Sequence, residues 1–376
     1  MAKGDRPVKI KRYGDIREKN IKRAGKAKRI FGFLALLLVL FAIGFLGTKA
    51  ISAIAKNRGA SSAVSSDTQS DIAESSSNTG EDSASQPEDS NGGDNVVTPT
   101  GKTRIYHYVN SQSLASDAGI DGAITAAKNA GANCLVFDLK NSDGYLLYRS
   151  ANQYGSQLVS PDTVIDVKAV VKKCSENGIT PVARIYTFED KMISTIERST
   201  AVMYQGTDTR WLDNSAALGG KAWANPASTV MQQYIVDITE EIMSLGVKEI
   251  IFAGFQTPTG YSLDKRDFGT TNDRVLANMK SLIVTLQSRV SAQGGYSSWQ
   301  INWQAITGGD YRQYIVHPYQ LGIHDFVITA TTEEISGENG ISPLKTARNN
   351  DEINTVTLWV TNGAGGEGSE LGNYFV

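Results

Sequence analysis

Residues 132–140, ANCLVFDLK, form an apolar run of strand length whose charges, Asp138 and Lys140, come only at its end. A strand apolar nearly throughout, rather than at every second residue, is covered on both faces, as in a parallel sheet with helices outside it. Its neighbours agree. Upstream, DGAITAAKNAG (121–131) is helical in pattern and stopped by Gly131. Downstream, PDTVIDVKAVVKKCSENG (161–178) has Ser160 placed to cap a helix, Pro161 just inside it and Gly178 past its end. That helix leads into a further strand, ITPVARIYTF (179–188).

The rhythm continues outward. RIYHYVN (104–110) is the first strand. NPASTVMQQYIVDITEEIMSLG (225–246) is a long amphipathic helix, with Asn225 as cap and Gly246 as stop, and it feeds VKEIIFAGF (247–255). A helix over about 272–292, strand WQINWQA (299–305), a short helix near Asp310, and strands HDFVITA (324–330) and TVTLWVT (355–361) complete the order. About seven strands alternating with helices predict an α/β fold, a (β/α)8-type TIM barrel in preference to an open doubly wound sheet. No GxGxxG or Walker pattern follows a strand, so nothing supports nucleotide binding.

What precedes the barrel is of another kind. Residues 1–29 hold about a dozen Lys and Arg against Asp5, Asp15 and Glu18. Residues 30–47, IFGFLALLLVLFAIGFLG, carry no charge and are long enough to cross a bilayer. The positive-inside rule then places the basic arm in the cytoplasm and the rest outside. A cleaved signal peptide is the alternative, with small residues near Ala50 and Ala53, although the apolar run exceeds the usual signal core. From residue 48 to 102 the chain is rich in Ser, Asp, Glu and Gly and too poor in apolar side chains to fold, a tether with a reach of about 35–40 Å.

The chain as a whole has a formal net charge of −2. With the arm so positive, the part beyond the span carries an acidic excess of about ten charges, which argues against a nucleic-acid partner. Two cysteines, Cys134 and Cys174, allow at most one disulfide; their apolar contexts favour buried thiols, a bridge being the alternative. His107, His317 and His324 have no metal-ligand spacing, so neither metal nor cofactor is expected. No nucleophile elbow of the Gly-x-Ser-x-Gly kind follows a strand.

Three stretches together resemble one family. They are NCLVFDLKNSDGYLLYRS (133–150), with its Asp-x-Lys and Asp-Gly turn; GITPVARIYTFEDKMIS (178–194), with Ala-Arg-Ile before a Phe and an acid; and WANPASTVMQQYIVDITEEIMSLGVKEIIF (223–252). The resemblance is to a glycosyl hydrolase-type family of bacterial envelope proteins, TIM barrels akin to glycoside hydrolases, and it spans about 106–361. It implies a sequence Phe-Asp-Tyr-Val-Arg-Phe-Pro after the fourth strand. Phe252 and Pro258 stand there, but Ala253 replaces the Asp and Gln256 the Arg. Later family blocks are likewise replaced by ITATTEE (328–334) and TLWVT (357–361).

Glycoside hydrolysis normally uses two carboxyl groups flanking the scissile bond, and a TIM barrel places them at strand carboxyl ends. Asp138 and Glu189 are the catalytic candidates. Asp138 either faces the mouth or pairs with Arg184 on the next strand; Glu189 and Asp190 either act chemically or begin a short helix. His107, Arg184, Trp211, Trp223, Gln256, Tyr261, Asn302, Gln304 and Trp359 are the binding candidates, because aromatic faces stack on sugar rings and amides supply hydrogen bonds. The expectation is a membrane-anchored, extracytoplasmic barrel that binds a cell-wall or surface glycan with lost or weak catalysis. An active glycosidase with relocated carboxylates and an envelope scaffold are the other readings.

Overall fold

The computed structural model describes residues 104–336, 340–350 and 354–361. The chain divides into two compact units, Met1–Asp89 and Ser90–Val376, and all described residues belong to the second. The basic arm, the apolar run 30–47 and the linker lie outside the described residues. Among the described residues, no helix is long and apolar enough to cross a membrane.

Seven parallel strands form one curled sheet, β1 (Tyr106–Tyr108), β2 (Cys134–Lys140), β3 (Thr180–Tyr186), β5 (Glu249–Ala253), β7 (Tyr296–Asn302), β8 (Asp325–Thr331) and β9 (Thr355–Thr361), hydrogen-bonded in that order. All seven were legible as strands. A separate antiparallel pair, β4 (Met203–Tyr204) with β6 (Arg266–Asp267), was not; it joins the segments that follow β3 and β5. The eight-strand expectation is met by seven among the described residues, with no ladder between β1 and β9.

Helices α1 (Asp117–Asn129), α2 (Val167–Glu176), α4 (Thr229–Ser244) and α5 (Asn272–Ala292) connect successive strands; α3 (Ile193–Ile196) is a single turn. Each long helix buries a stripe at helical spacing. In α5 it is Val275, Met279, Leu282, Ile283, Leu286 and Val290, and each such side chain contributes roughly 1.5–3 kcal/mol relative to exposure. Two caps differ from expectation. Ser160 accepts from the Asp162 and Thr163 amides and so closes a turn, Ile165 donates its amide to Leu147 O at 2.6 Å and keeps the chain extended, and α2 starts only at Val167 under Asp166. Likewise Asn225 accepts from Ala227 N, leaving Ser228 to cap α4.

The register sorts the strand residues onto two faces. Leu135, Phe137, Ala183, Ile185, Ile250 and Phe252 face the helices in the main core. Tyr106, Cys134, Val136, Val182, Ile251, Val327 and Trp359 form a second cluster inside the curl. At its amino-terminal end, Glu249 accepts from the Arg104 guanidinium and the Tyr106 hydroxyl. Burial raises the Glu249 pKa; the Arg104 charge and these hydrogen bonds oppose that. A partnerless charge there would cost several kcal/mol. Cys134 and Cys174 are free and buried, one on each side of the sheet.

Candidate functional site at the strand carboxyl ends

Because the strands are parallel, their carboxyl ends and following loops share one end of the sheet, where barrels carry their chemistry. Asp138 in β2 and Arg184 in β3 are register partners. Arg184 donates Nε to Asp138 Oδ1 at 2.5 Å and Nη2 to Asp138 Oδ2 at 2.9 Å, a two-pronged pair with the residues 9% and 8% exposed. The guanidinium carbon lies 4.8 Å from the Tyr108 ring centre, 5.2 Å from Tyr186 and 4.5 Å from Trp359, and Nη1 reaches Gln300 Oε1 at 3.3 Å. Burial works against the cation, but the hydrogen bonds and charge of Asp138 outweigh it and raise the Arg184 pKa. Of the two sequence alternatives for Asp138, the pair with Arg184 is what the structure contains.

A second buried ion pair supports this end. Lys140 Nζ lies 2.8 Å from Asp190 Oδ2, both side chains fully buried, and donates to Tyr186 O at 2.7 Å. The other Asp190 oxygen accepts from Met192 N and Ile193 N at the start of α3. The helix-starting role thus belongs to Asp190. The turn at Asp143-Gly144 packs on the same carboxylate: Gly144 has φ +97°, and a Cβ there would stand 1.9 Å from Asp190 Oδ1.

Glu189, half-buried, makes no hydrogen bond or ion pair among the described residues, and burial raises its pKa. Lys221 opposes the rise; the nearby charges of Asp213 and Asp143 add to it. Asp143 shows the opposite balance: burial acts to raise its pKa, but Lys221 at 2.9 Å and Lys191 at 3.0 Å hold it below the ordinary aspartate value. Two carboxyl groups whose environments push them apart are the usual raw material of acid–base division of labour.

The other sequence candidates scatter. Trp359 joins Asp138 and Arg184. Trp211 and Trp223 are buried, their indole N–H groups donating to Ser262 O at 3.0 Å and Asp213 Oδ2 at 3.2 Å. Tyr261, 64% exposed, is tied to the same segment by its amide, 2.8 Å from Asp213 O. Gln256 follows β5, half-buried, its amide turning back to Gly254 O. Ala253 faces inward opposite Tyr186, fully buried.

Strand WQINWQA ends earlier than its pattern suggests. Asn302 Oδ1 accepts from Ala305 N and starts the short helix α6 (Trp303–Thr307), which puts Gln304 on a helix, donating to Glu334 Oε1 at 2.9 Å. His107 does not line the mouth: it is opposite Leu135, on the helix-covered face. Gln300, Asp213 and Lys221 were missed. Gln300 was reachable, two residues before Asn302 on the same strand; Asp213 and Lys221 lie in an irregular loop with no periodicity to reveal them.

A curled parallel sheet of seven strands wrapped by helices, with a polar and aromatic carboxyl end, is a TIM-like half-barrel, consistent with the glycoside hydrolase fold. The chain belongs to the DUF4015 family, described as "Putative glycosyl hydrolase domain", whose model matches residues 107–307. Among solved structures it is similar to the PgaB (BpsB) glycoside hydrolase domain from Bordetella bronchiseptica, at 10% identity over 67% of this chain and 82% of that one, TM-score 0.50. It is also similar to a hypothetical protein from Ruminiclostridium thermocellum (21% identity, 51% and 95% covered, TM-score 0.42). A third is the alpha-L-fucosidase isoenzyme 2 from Paenibacillus thiaminolyticus (12%, TM-score 0.41), with 62% of this chain covered but only 42% of that one. At these identities the likeness concerns the fold alone. No curated protein matches the chain.

Proposed function

We propose that this protein is a glycan-binding barrel of glycoside hydrolase ancestry, held at the outer face of the cell membrane by residues 30–47, with catalysis lost or very slow. The observation that carries the reading is the state of Asp138. Both its oxygens are engaged by Arg184, whose guanidinium is enclosed by three aromatic rings, so this carboxylate is a structural ion-pair partner rather than a nucleophile or proton donor. At the end of β5, the fourth strand of the sheet, the position where the family resemblance implies an acid is Ala253, buried and without polar function. The anchor is supported by the uncharged run and the basic arm before it.

Incubation of the full chain, purified in mild detergent, with purified peptidoglycan and a panel of polysaccharides tests this, scoring co-sedimentation and release of reducing sugar together. Binding without release is expected. Restoring the family's residues with Ala253→Asp and Gln256→Arg should raise release above the wild-type level.

One observation favours a second reading, an active glycosidase with relocated carboxylates. Glu189 has a raised pKa and no hydrogen-bond partner among the described residues, the condition of a proton donor. Sugar release by the wild type, abolished by Glu189→Gln but not by Ala253 variants, would replace the first reading with this one.

A further inference from the structure

We propose that Tyr261 is the platform of an outer sugar-binding subsite on the lip beside the strand ends, where one pyranose ring of a longer glycan stacks. The inference rests on the glycan-binding reading and adds where the contact lies. The space among Tyr108, Tyr186 and Trp359 already holds the Arg184 guanidinium, so a sugar entering there would have to displace a buried, paired cation. Stacking has to occur further out.

The lip offers one aromatic ring to solvent. It is built from the segments around 211–223 and 257–265. Trp211 and Trp223 are 0% and 4% exposed and tied down through their indoles, whereas Tyr261 is 64% exposed with no ring partner or hydroxyl hydrogen bond among the described residues. Its backbone is nevertheless fixed. Its amide donates to Asp213 O, and the next residue, Ser262, sits in the left-handed region at φ 53° and accepts the Trp211 indole through its carbonyl. On the other side, Gly260 at φ 122° approaches Asp213 O so closely that a Cβ would stand 2.3 Å from it. A non-glycine residue held left-handed and a glycine that cannot be replaced flank Tyr261 and fix the backbone that carries the ring. A ring carried on backbone fixed in advance leaves only its own side-chain rotation to be ordered on binding.

The chemistry of the lip selects the ligand. The axial C–H face of a pyranose covers an aromatic ring, and its hydroxyls need polar neighbours; the segment joined to Tyr261 through the Asp213 carbonyl carries the Asp213 carboxylate, which accepts from Lys221 N and Trp223 Nε1 and has further acceptor capacity, and the exposed Asn214. A protein partner fits less well. The large apolar side chains exposed on these segments are Tyr261, Leu218 and Leu263, far short of the roughly 800 Å² per partner of a stable protein interface.

The test compares wild type, Tyr261→Ala and Tyr261→Trp, each as the full chain in mild detergent, for co-sedimentation with purified peptidoglycan and for binding of chito-oligosaccharides of two to six sugars. Thermal unfolding checks that the exposed substitutions leave the fold intact. Tyr261→Ala should weaken binding to peptidoglycan and the longer oligosaccharides by about three- to tenfold, the worth of one aromatic contact, while Tyr261→Trp retains it. Wild-type binding that survives Tyr261→Ala unchanged overturns the subsite and leaves the glycan reading standing. A wild type that binds none of these probes overturns the glycan reading, and the subsite with it. Loss of self-association in Tyr261→Ala, with glycan binding unaltered, would make the ring a protein contact and also overturn the proposal.

Discussion

The ring of Trp359, in β9, lies 5.0 Å from the ring of Tyr108, in β1, inclined at 47°. These strands are the two ends of the seven-strand order and share no ladder among the described residues, so side chains rather than backbone hydrogen bonds bring them together. Arg184 sits against both rings and thereby ties the two edges to the middle of the sheet. Trp359→Ala should therefore destabilise the domain by about 3–5 kcal/mol, the usual cost of removing a buried aromatic. Trp359→Phe should cost clearly less. Urea unfolding followed by circular dichroism decides, and a loss below about 1 kcal/mol for the alanine variant would mean that the edges do not depend on this contact.

Lys140 and Asp190 give a sharper energetic prediction, because neither side chain reaches water. Lys140→Met leaves the Asp190 charge without its partner and should cost about 3–5 kcal/mol; Asp190→Asn, which keeps an acceptor for the Met192 and Ile193 amides, should cost a comparable amount by stranding the lysine. The double variant should be less damaged than the sum of the two. A double-mutant cycle in urea measures this coupling, and strict additivity would contradict the ion pair.

Glu189 makes stability depend on pH in a stated direction. Burial first, then the charges of Asp213 and Asp143, hold its folded pKa above the ordinary value of 4.5. Between the two values the folded protein retains a proton that the unfolded chain has lost, so this residue's effect is to lower stability as pH rises through that window. Glu189→Gln removes the ionisation. Its stability relative to wild type should thus be least favourable near pH 4 and improve with rising pH until Glu189 is fully ionised. Melting temperatures of both proteins across pH 4–8 test the sign; a difference that shrinks as pH rises would show the carboxyl to be paired.

The two thiols should be inert in the folded chain. Burial, with the Glu249 charge adding and Arg104 opposing, pushes Cys134 up to about 12, and burial pushes Cys174 up to about 11. Neither offers an accessible thiolate at pH 8. Ellman's reagent should find no reactive thiol in the native protein and two per chain in guanidinium chloride. A denatured titre of zero would reveal a disulfide instead.

Local pattern carried much of the fold and less of the site. An apolar strand such as 132–140 needs no partner to be recognised, since burial on both faces leaves the same trace whatever covers it. Asp138 and Arg184 were each visible as charges inside apolar strands, and their pairing was one of two alternatives. Asp213 and Lys221 left no trace, because a loop held by hydrogen bonds from Trp223 and Tyr261 has no period. Asn302 misled: its side-chain bond to Ala305 N overrides a strand-like apolar pattern and turns the chain into a helix.

The sequence by itself determined the alternation of strands and helices, the uncharged run behind a basic arm, and the acid-poor end of the fourth sheet strand, because each is a property of neighbouring residues. Only the tertiary structure decided that Asp138 is paired with Arg184 inside an aromatic enclosure, that Glu189 has no hydrogen-bond or ion-pair partner among the described residues, and that Tyr261 alone of the lip's three aromatic candidates is left to solvent. These depend on which atoms the curl of the sheet and its loops bring within a few ångströms across 46 or more positions of sequence, and contact at that range sets charge, burial and reactivity.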